Sequence, residues 1–399
     1  MMTSLDEALA AIRNRARPLP AEEVPLAEAY GRVLAEAVRA RRDQPATDIS
    51  MMDGYALRAS EAGGLLRVAG EIAAGDPPWS RSLSRGEAAR IFTGAPLPPG
   101  ADCVVMQEHA VREGATVRVQ QSARSGQHIR RRGEELTAGA EALPPGRVLD
   151  AADLALAAAC GVGSVRAHRR PRVALLCTGS ELVPVGEEPG PGKIVETNSL
   201  SLAALARDAG ADVSRLGVAP DSVDRIAERL RDAPADILLT TGGASVGDHD
   251  HAQDALERLG GELIFHTVAI RPGKPVLFGT ASGARIVFGL PGNPAAATLG
   301  FELFVRLAIR LLSGDPKPAR PQARARLRGT LSRVKGLTFF PRGSLSAEGS
   351  QLIFSPGGQQ SSMQIASWSG ANAVAVVPPG EGRIDDGVEI DVLVVGPLA

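Results

Sequence analysis

A chain of 399 residues is longer than one ordinary hydrophobic core supports, so two to four domains are expected. A net charge of −1 and an aromatic content of 3% exclude a global field for nucleic acid and a base-stacking surface, so any anion site must be built locally. No run approaches the roughly 18 apolar residues of a membrane span, the N-terminus lacks a signal core, and Cys103, Cys160 and Cys177 form no CxxC pair. The expected setting is the cytoplasm, with no membrane or nucleic-acid partner.

Ser4-Leu5-Asp6-Glu7 is a capping box, and Leu5, Ala8, Leu9 and Ile12 follow at helical spacing. Leu26, Ala29, Tyr30 and Val33 repeat that spacing and predict a second helix. From Arg41 to about Gly133, short apolar runs such as Arg90-Ile91-Phe92 and Cys103-Val104-Val105-Met106 alternate with turns and predict strands. Helix returns at Asp150 and stops at Gly161. The basic stretch at residues 166–172 reads as a solvated linker.

From Arg172 to about Gly314 strands alternate with helices. Val173-Ala174-Leu175-Leu176 is a strand; helical stripes start at Leu202, Val223 and Ala252; further strands start at Ile237, Leu263, Val276 and Ile286. A long helix from Pro294 to Leu311 closes the region. This alternation predicts an open, mostly parallel sheet with helices on both faces and ligands outside the carboxyl ends of its strands. After the proline-rich residues 315–318 the pattern returns to strands, ending at residues 388–395, which predicts a small β domain.

The most informative stretch is Thr240-Thr241-Gly242-Gly243-Ala244-Ser245-Val246-Gly247-Asp248-His249-Asp250. Two glycines after a buried strand let the backbone turn its N–H groups toward an anion. Asp248 and Asp250 add hard oxygens suited to Mg²⁺. Together they point to a phosphorylated ligand handled with a metal; the bland alternative is a simple turn. Leu290-Pro291-Gly292-Asn293-Pro294 puts a proline at the first position of the long helix, whose free N–H groups would face an anion. Arg271-Pro272-Gly273-Lys274 fixes two cations on a rigid turn. Asp53 in Met52-Asp53-Gly54-Tyr55-Ala56 and Thr93 in Thr93-Gly94-Ala95-Pro96 read equally as turn residues. Arg130-Arg131-Arg132-Gly133-Glu134-Glu135 is either a solvated turn or a phosphate clamp. His249-Asp250-His251 is not a zinc site, since strand geometry would point Asp250 away from both histidines.

In their order along the chain, the DISMMDGYA, TGAP, IRRRGE, TGSEL, GGASVGDHD, RPGKP and LPGNP motifs resemble the molybdopterin molybdenumtransferase family, the MoeA type that includes the E domain of gephyrin. The resemblance spans essentially the whole chain. It implies a multidomain α+β and α/β fold: a discontinuous helical domain (1–40 with 137–169), an inserted β-rich domain (41–136), a molybdopterin-adenylyltransferase-like α/β domain (170–315) and a C-terminal β-barrel (320–399). It also implies a homodimer with active sites shared between subunits. The implied reaction inserts molybdenum from molybdate into adenylylated molybdopterin with release of AMP, assisted by Mg²⁺.

Carried over motif by motif, the resemblance marks Asp53, Glu181, Asp221 and Asp250 as catalytic, the last three also as metal ligands. Thr93, Arg130, Glu135, Gly242, Gly243, Ser245, Asp248, Pro291, Gly292, Asn293 and Pro294 would bind the pterin substrate. Arg271, Lys274, Arg342 and Ser362 would bind molybdate. Ile49, Glu135, Thr267, Arg271 and Ala296 depart from the usual family residues, which leaves oxyanion preference, molybdate or tungstate, open. An adenylyltransferase is the competing enzymatic reading, and a partner-binding scaffold the non-enzymatic one.

Overall fold

The computed structural model describes residues 2–242 and 251–398. The chain forms two compact units: an insert unit, Glu23–Tyr30 with Leu34–Ala167, and a sheet-and-barrel unit, Met1–Glu22, Gly31–Val33 and His168–Ala399.

Helix α1 (Leu5–Arg15) begins at the expected capping box, in which Ser4 and Glu7 each bond the other's backbone. Its buried residues Ala8 and Ile12 share a core with Val173, Leu175 and Phe304. Residues 1–22 therefore group with the α/β sheet rather than with residues 137–167, because the apolar stripe of α1 is buried there. The second predicted helix is absent: Leu26–Glu28 form a single 3₁₀ turn. Pro25 precedes it and Gly31 follows at φ +72°, leaving too few residues to propagate an α-helix. Ala29 and Val33 are still buried and Leu26 partly so, which accounts for three of the four apolar positions, while Tyr30 is exposed.

The insert unit is built on a mixed six-stranded sheet of β1 (Gly54–Leu57), β2 (Leu65–Ile72), β3 (Glu87–Ile91), β4 (Cys103–Met106), β5 (Ala110–Glu113) and β6 (Thr116–Val119), in the order β4-β1-β3-β2-β6-β5. Strand β1 shows period two plainly: Tyr55 and Leu57 enter one apolar cluster, and Ala56 enters the cluster on the opposite face. Helix α2 (Ala151–Ala159) is capped by Asp150 and followed by Gly161 at φ +81°, as its sequence predicts.

In the other unit, β7 (Arg172–Thr178), α3 (Asn198–Asp208), β8 (Asp212–Ala219), α4 (Val223–Arg231), β9 (Ile237–Thr241), α5 (His251–Arg258), β10 (Glu262–Thr267), β11 (Pro275–Ala281) and β12 (Arg285–Leu290) form a sheet of order β8-β7-β9-β12-β11-β10. Strands β7, β8, β9 and β12 are parallel; β11 pairs antiparallel with both β12 and β10, so β11 runs against the other strands of the sheet. Apolar clusters cover both faces, as the near-continuous apolar strands require. The long final helix is continuous but not uniform: α6 (Pro294–Gly300) passes through a buried π-helical stretch, Phe301–Val305, into α7 (Arg306–Leu312).

The C-terminal strands β13 (Gln322–Leu327), β14 (Arg342–Glu348), β15 (Gln351–Pro356), β16 (Ala373–Val376) and β17 (Glu389–Val394) close into a barrel of order β13-β15-β14-β16-β17, filled by Leu327, Leu345, Phe354, Ala375 and Val392. Among the described residues no helix is long and apolar enough to cross a membrane.

Candidate active site

The parallel register sets Cys177 beside Thr241 and Thr241 beside Leu290, so the carboxyl ends of β7, β9 and β12 lie side by side. Their turns pack backbone against backbone. Gly242 has φ +92°, and a Cβ there would lie 2.1 Å from the Thr178 carbonyl oxygen, so only glycine fits. Its N–H donates to the Leu290 carbonyl at 3.2 Å, and a Cβ on Gly292 would sit 3.5 Å from Gly242 Cα. Gly243, Ser245, Asp248, His249 and Asp250 lie outside the described residues.

Beneath these turns lies Asn198, the first residue of α3 and 8% exposed. Its Nδ2 donates to Thr241 Oγ1 at 2.7 Å and to the Gly292 carbonyl at 2.8 Å. Thr241 Oγ1 in turn donates to the Pro291 carbonyl at 3.1 Å. Among the described residues, Asn198 Oδ1 and Thr178 Oγ1 are buried without a partner.

The two described carboxylates of the expected metal set occupy neighbouring turns. Ser180 N–H donates to Asp221 Oδ2 at 3.0 Å, and Lys193 Nζ donates to the Ser180 carbonyl at 2.6 Å. The Glu181 carboxylate lies against Gly179, where a Cβ would come within 2.7 Å of Oε2. Among the described residues no group of three or more His, Cys, Asp or Glu is placed to hold a metal. Glu181 and Asp221 nonetheless suit Mg²⁺, which commonly takes one or two carboxylates together with waters and substrate phosphates.

The start of α6 differs from expectation. Its N–H groups are not free: Pro294 has none, Ala295 donates to the Ser362 carbonyl at 3.0 Å, and Ala296 and Ala297 donate to the Asn293 carbonyl at 3.0 and 2.9 Å. A segment following β15 caps the helix, so side chains must hold any anion there. Asn293 Nδ2 donates to Ser362 Oγ at 3.2 Å, bringing two expected site residues together. Arg342 is fully buried (0% exposed). Its Nη2 donates to the Ser361 carbonyl at 3.3 Å, while Nε and Nη1 have no partner among the described residues. Burial pushes its guanidinium down to about 10, and no carboxylate among the described residues counters it. Arg271 is exposed, its guanidinium 5.5 Å from the centre of the Phe339 ring, and its carbonyl accepts from Phe340 N–H at 2.8 Å. Lys274 is exposed on the same turn, and a Cβ on Gly273 would lie 3.4 Å from the Ala296 carbonyl.

In the insert unit, Asp53 Oδ1 accepts from both the N–H and the hydroxyl of Thr93, each at 2.8 Å. These bonds, the N–H first, with the Arg90 charge adding less, hold the Asp53 carboxyl below the usual carboxylate range. Each residue of the triple-arginine run is ion-paired: Arg130 with Glu135 at 2.7 Å, Arg131 with the distant Asp48 at 2.6 Å, and Arg132 with the distant Asp43. This favours the solvated-turn reading for Arg131 and Arg132. Arg130 has to share its charge with Glu135 to engage a substrate.

The chain matches three family models: the MoeA N-terminal region (domain I and II) over residues 3–161, a probable molybdopterin binding domain over 174–311, and the MoeA C-terminal region (domain IV) over 324–395. A molybdopterin molybdenumtransferase of Nostoc sp. is 38% identical across 93% of this chain and 88% of its own length. The chain belongs to the MoeA family. Molybdopterin molybdenumtransferase 2 of Mycobacterium tuberculosis is 36% identical over 98% of this chain and 99% of its own. The crystal structure of the molybdopterin biosynthesis protein MoeA from Pyrococcus horikosii superposes with a TM-score of 0.83 at 30% identity, covering 100% of both chains.

Within this MoeA fold, three residues near the expected sites carry no signal in the motif reading. Asn198 and Lys193 lie between the TGSEL motif and the helical stripe that starts at Leu202. Arg90 donates to the Gly54 carbonyl at 3.1 Å and lies over the Phe92 ring at 4.6 Å, bracing the turn that carries Asp53. A lone arginine between Ala89 and Ile91 in an apolar strand is the available clue to its role.

Proposed function

We propose that the chain transfers molybdenum from molybdate into adenylylated molybdopterin, releasing AMP, as a step of molybdenum cofactor biosynthesis. The observation that carries this reading is Arg342, a buried guanidinium with two unused nitrogens, Nε and Nη1, and no counter-charge among the described residues, next to Ser361 and Ser362. An unpaired buried cation is costly, and a compact dianion held jointly with Arg271, Lys274 and Ser362 would offset that cost.

The glycine turns supply the second half of the chemistry. Gly242, Gly243, Ser245, Asp248, Pro291, Gly292, Asn293 and Pro294 hold the phosphate side of the pterin, and Glu181, Asp221 and Asp250 would hold Mg²⁺. When bound, Mg²⁺ supplies neutralising charge at the phosphate anhydride. Molybdate exchanges one oxygen for two dithiolene sulfurs; that oxygen leaves as water with both thiol protons, without change of oxidation state. Anhydride hydrolysis consumes one water and yields AMP and the phosphorylated pterin.

Thr93 keeps Asp53 ionised and fixes its Oδ1, leaving Oδ2 to orient a substrate donor or the attacking water, with Arg130 and Glu135 beside the ligand. The site is read as composite in a homodimer, with Asp53 from one subunit and the glycine turns from the other.

The test supplies adenylylated molybdopterin, molybdate and Mg²⁺. The expected result is AMP formed one-for-one with cofactor able to reconstitute an apo-molybdoenzyme. AMP release without molybdenum insertion, or adenylylation of free molybdopterin from ATP, would overturn the reading.

A further inference from the structure

We infer that Asn198 is a positioning residue that sets the spacing of the two glycine turns and so tunes affinity for the adenylylated pterin, but not for molybdate. The inference rests on the proposed site at those turns. Three observations carry it.

First, its carboxamide spends both N–H bonds across the gap, one on Thr241 at the end of β9 and one on the Gly292 carbonyl beyond β12. Through Thr241 the bridge extends to the Pro291 carbonyl. One side chain therefore fixes three points of two turns that are in near contact at Gly242 and Gly292. Second, Asn198 Oδ1 is buried and accepts nothing among the described residues. A residue kept for packing would not leave a buried acceptor unmet, since that costs stability and a hydrocarbon would fill the space without it. The donor function explains why the carboxamide is there. Third, Asn198 opens α3, so its position is set by a whole helix and not by loop conformation.

The chemistry gives an unusual order of variants. Asn198→Asp keeps the shape, but a carboxylate cannot donate; it sets lone pairs against the Gly292 carbonyl and turns the Thr241 hydroxyl away from Pro291. Asn198→Ala only removes the bridge. For a packing residue the isostere is the milder change; for a donor bridge it is the harsher one.

The experiment measures the dissociation constant for adenylylated molybdopterin by calorimetry, the KM for molybdate, and thermal stability. Asn198→Ala is expected to weaken pterin binding about tenfold, as for one or two lost hydrogen bonds, and Asn198→Asp about a hundredfold. Molybdate KM should stay within about twofold of wild type. Thr241→Val, which removes the acceptor without introducing charge, should match Asn198→Ala, and the double variant should lose little more than either alone. Asn198→Asp binding as well as or better than Asn198→Ala, fully additive losses, or a parallel rise in molybdate KM would each overturn the inference. Should Asn198→Asp fail to fold, the Ala–Val cycle alone decides. If wild type binds the adenylylated pterin but releases no AMP, the proposed reaction fails while the order of affinities is still read.

Discussion

At the scale of single residues, two side chains carry the most testable chemistry. Arg342 is buried without a counter-charge among the described residues, so Arg342→Met should leave thermal stability unchanged or raised, because it removes a desolvated charge and keeps the volume. The same change should raise the molybdate requirement about a hundredfold or more, since charge-assisted hydrogen bonds are lost. A clear drop in Tm with unaltered molybdate KM would mean that the arginine is structural. Asp53 is the second. Its carboxyl is held below the usual range, so it stays ionised as pH falls until that lowered value is crossed; only below it is the charge lost. Thr93→Val removes the hydroxyl donor and lets the Asp53 value rise. The acid limb of the kcat/KM profile should move to higher pH and the basic limb stay in place. An unmoved acid limb would remove Asp53 from the titrating step.

At the scale of elements, the glycine turn after β9 is the feature to perturb. Gly242→Ala meets both φ +92° and a carbonyl oxygen 2.1 Å from the new Cβ, so it should destabilise by about 2 kcal/mol or more and abolish turnover. Gly283→Ala has a similar φ of +79° with nothing within 4 Å, and should cost only about 1 kcal/mol with activity retained. Urea unfolding of the pair separates clash from conformational strain; equal losses would contradict the close packing of the turns. These elements were legible in the sequence for physical reasons. Continuous apolar runs such as Ile237-Leu238-Leu239 are what a sheet covered on both faces requires, and Gly242 has to be glycine. The rest needed three dimensions. The helical spacing of Leu26 and Ala29 is met without a helix, since burial fixes a pattern but not a backbone. The start of α6 looked open to an anion because its cap, the Ser362 carbonyl, arrives from a distant part of the chain. The complete burial of Arg342 and the bridging role of Asn198 depend likewise on segments far apart in sequence.

At the scale of the whole molecule, the composite site makes a quantitative expectation. Asp53→Ala and Asp221→Ala should each be inactive alone, because every site contains one defect. In a mixed dimer both defects fall in one site and the other is wild-type. Random exchange makes about half the dimers mixed, so roughly a quarter of wild-type activity should return on co-refolding. Exchange confirmed by differential tagging, with no recovered activity, would place both carboxylates in one subunit's site. The most direct measurement of the proposed reaction is a single turnover on adenylylated molybdopterin, following AMP and inserted molybdenum per site as molybdate is varied. In wild type both products should appear together and saturate with molybdate. Arg342→Met should need far more molybdate, and Asp221→Ala should release essentially no AMP at any molybdate concentration. AMP release at full rate without molybdate, or equal molybdate dependence in Arg342→Met and wild type, would contradict an oxyanion pocket working beside a phosphate cradle.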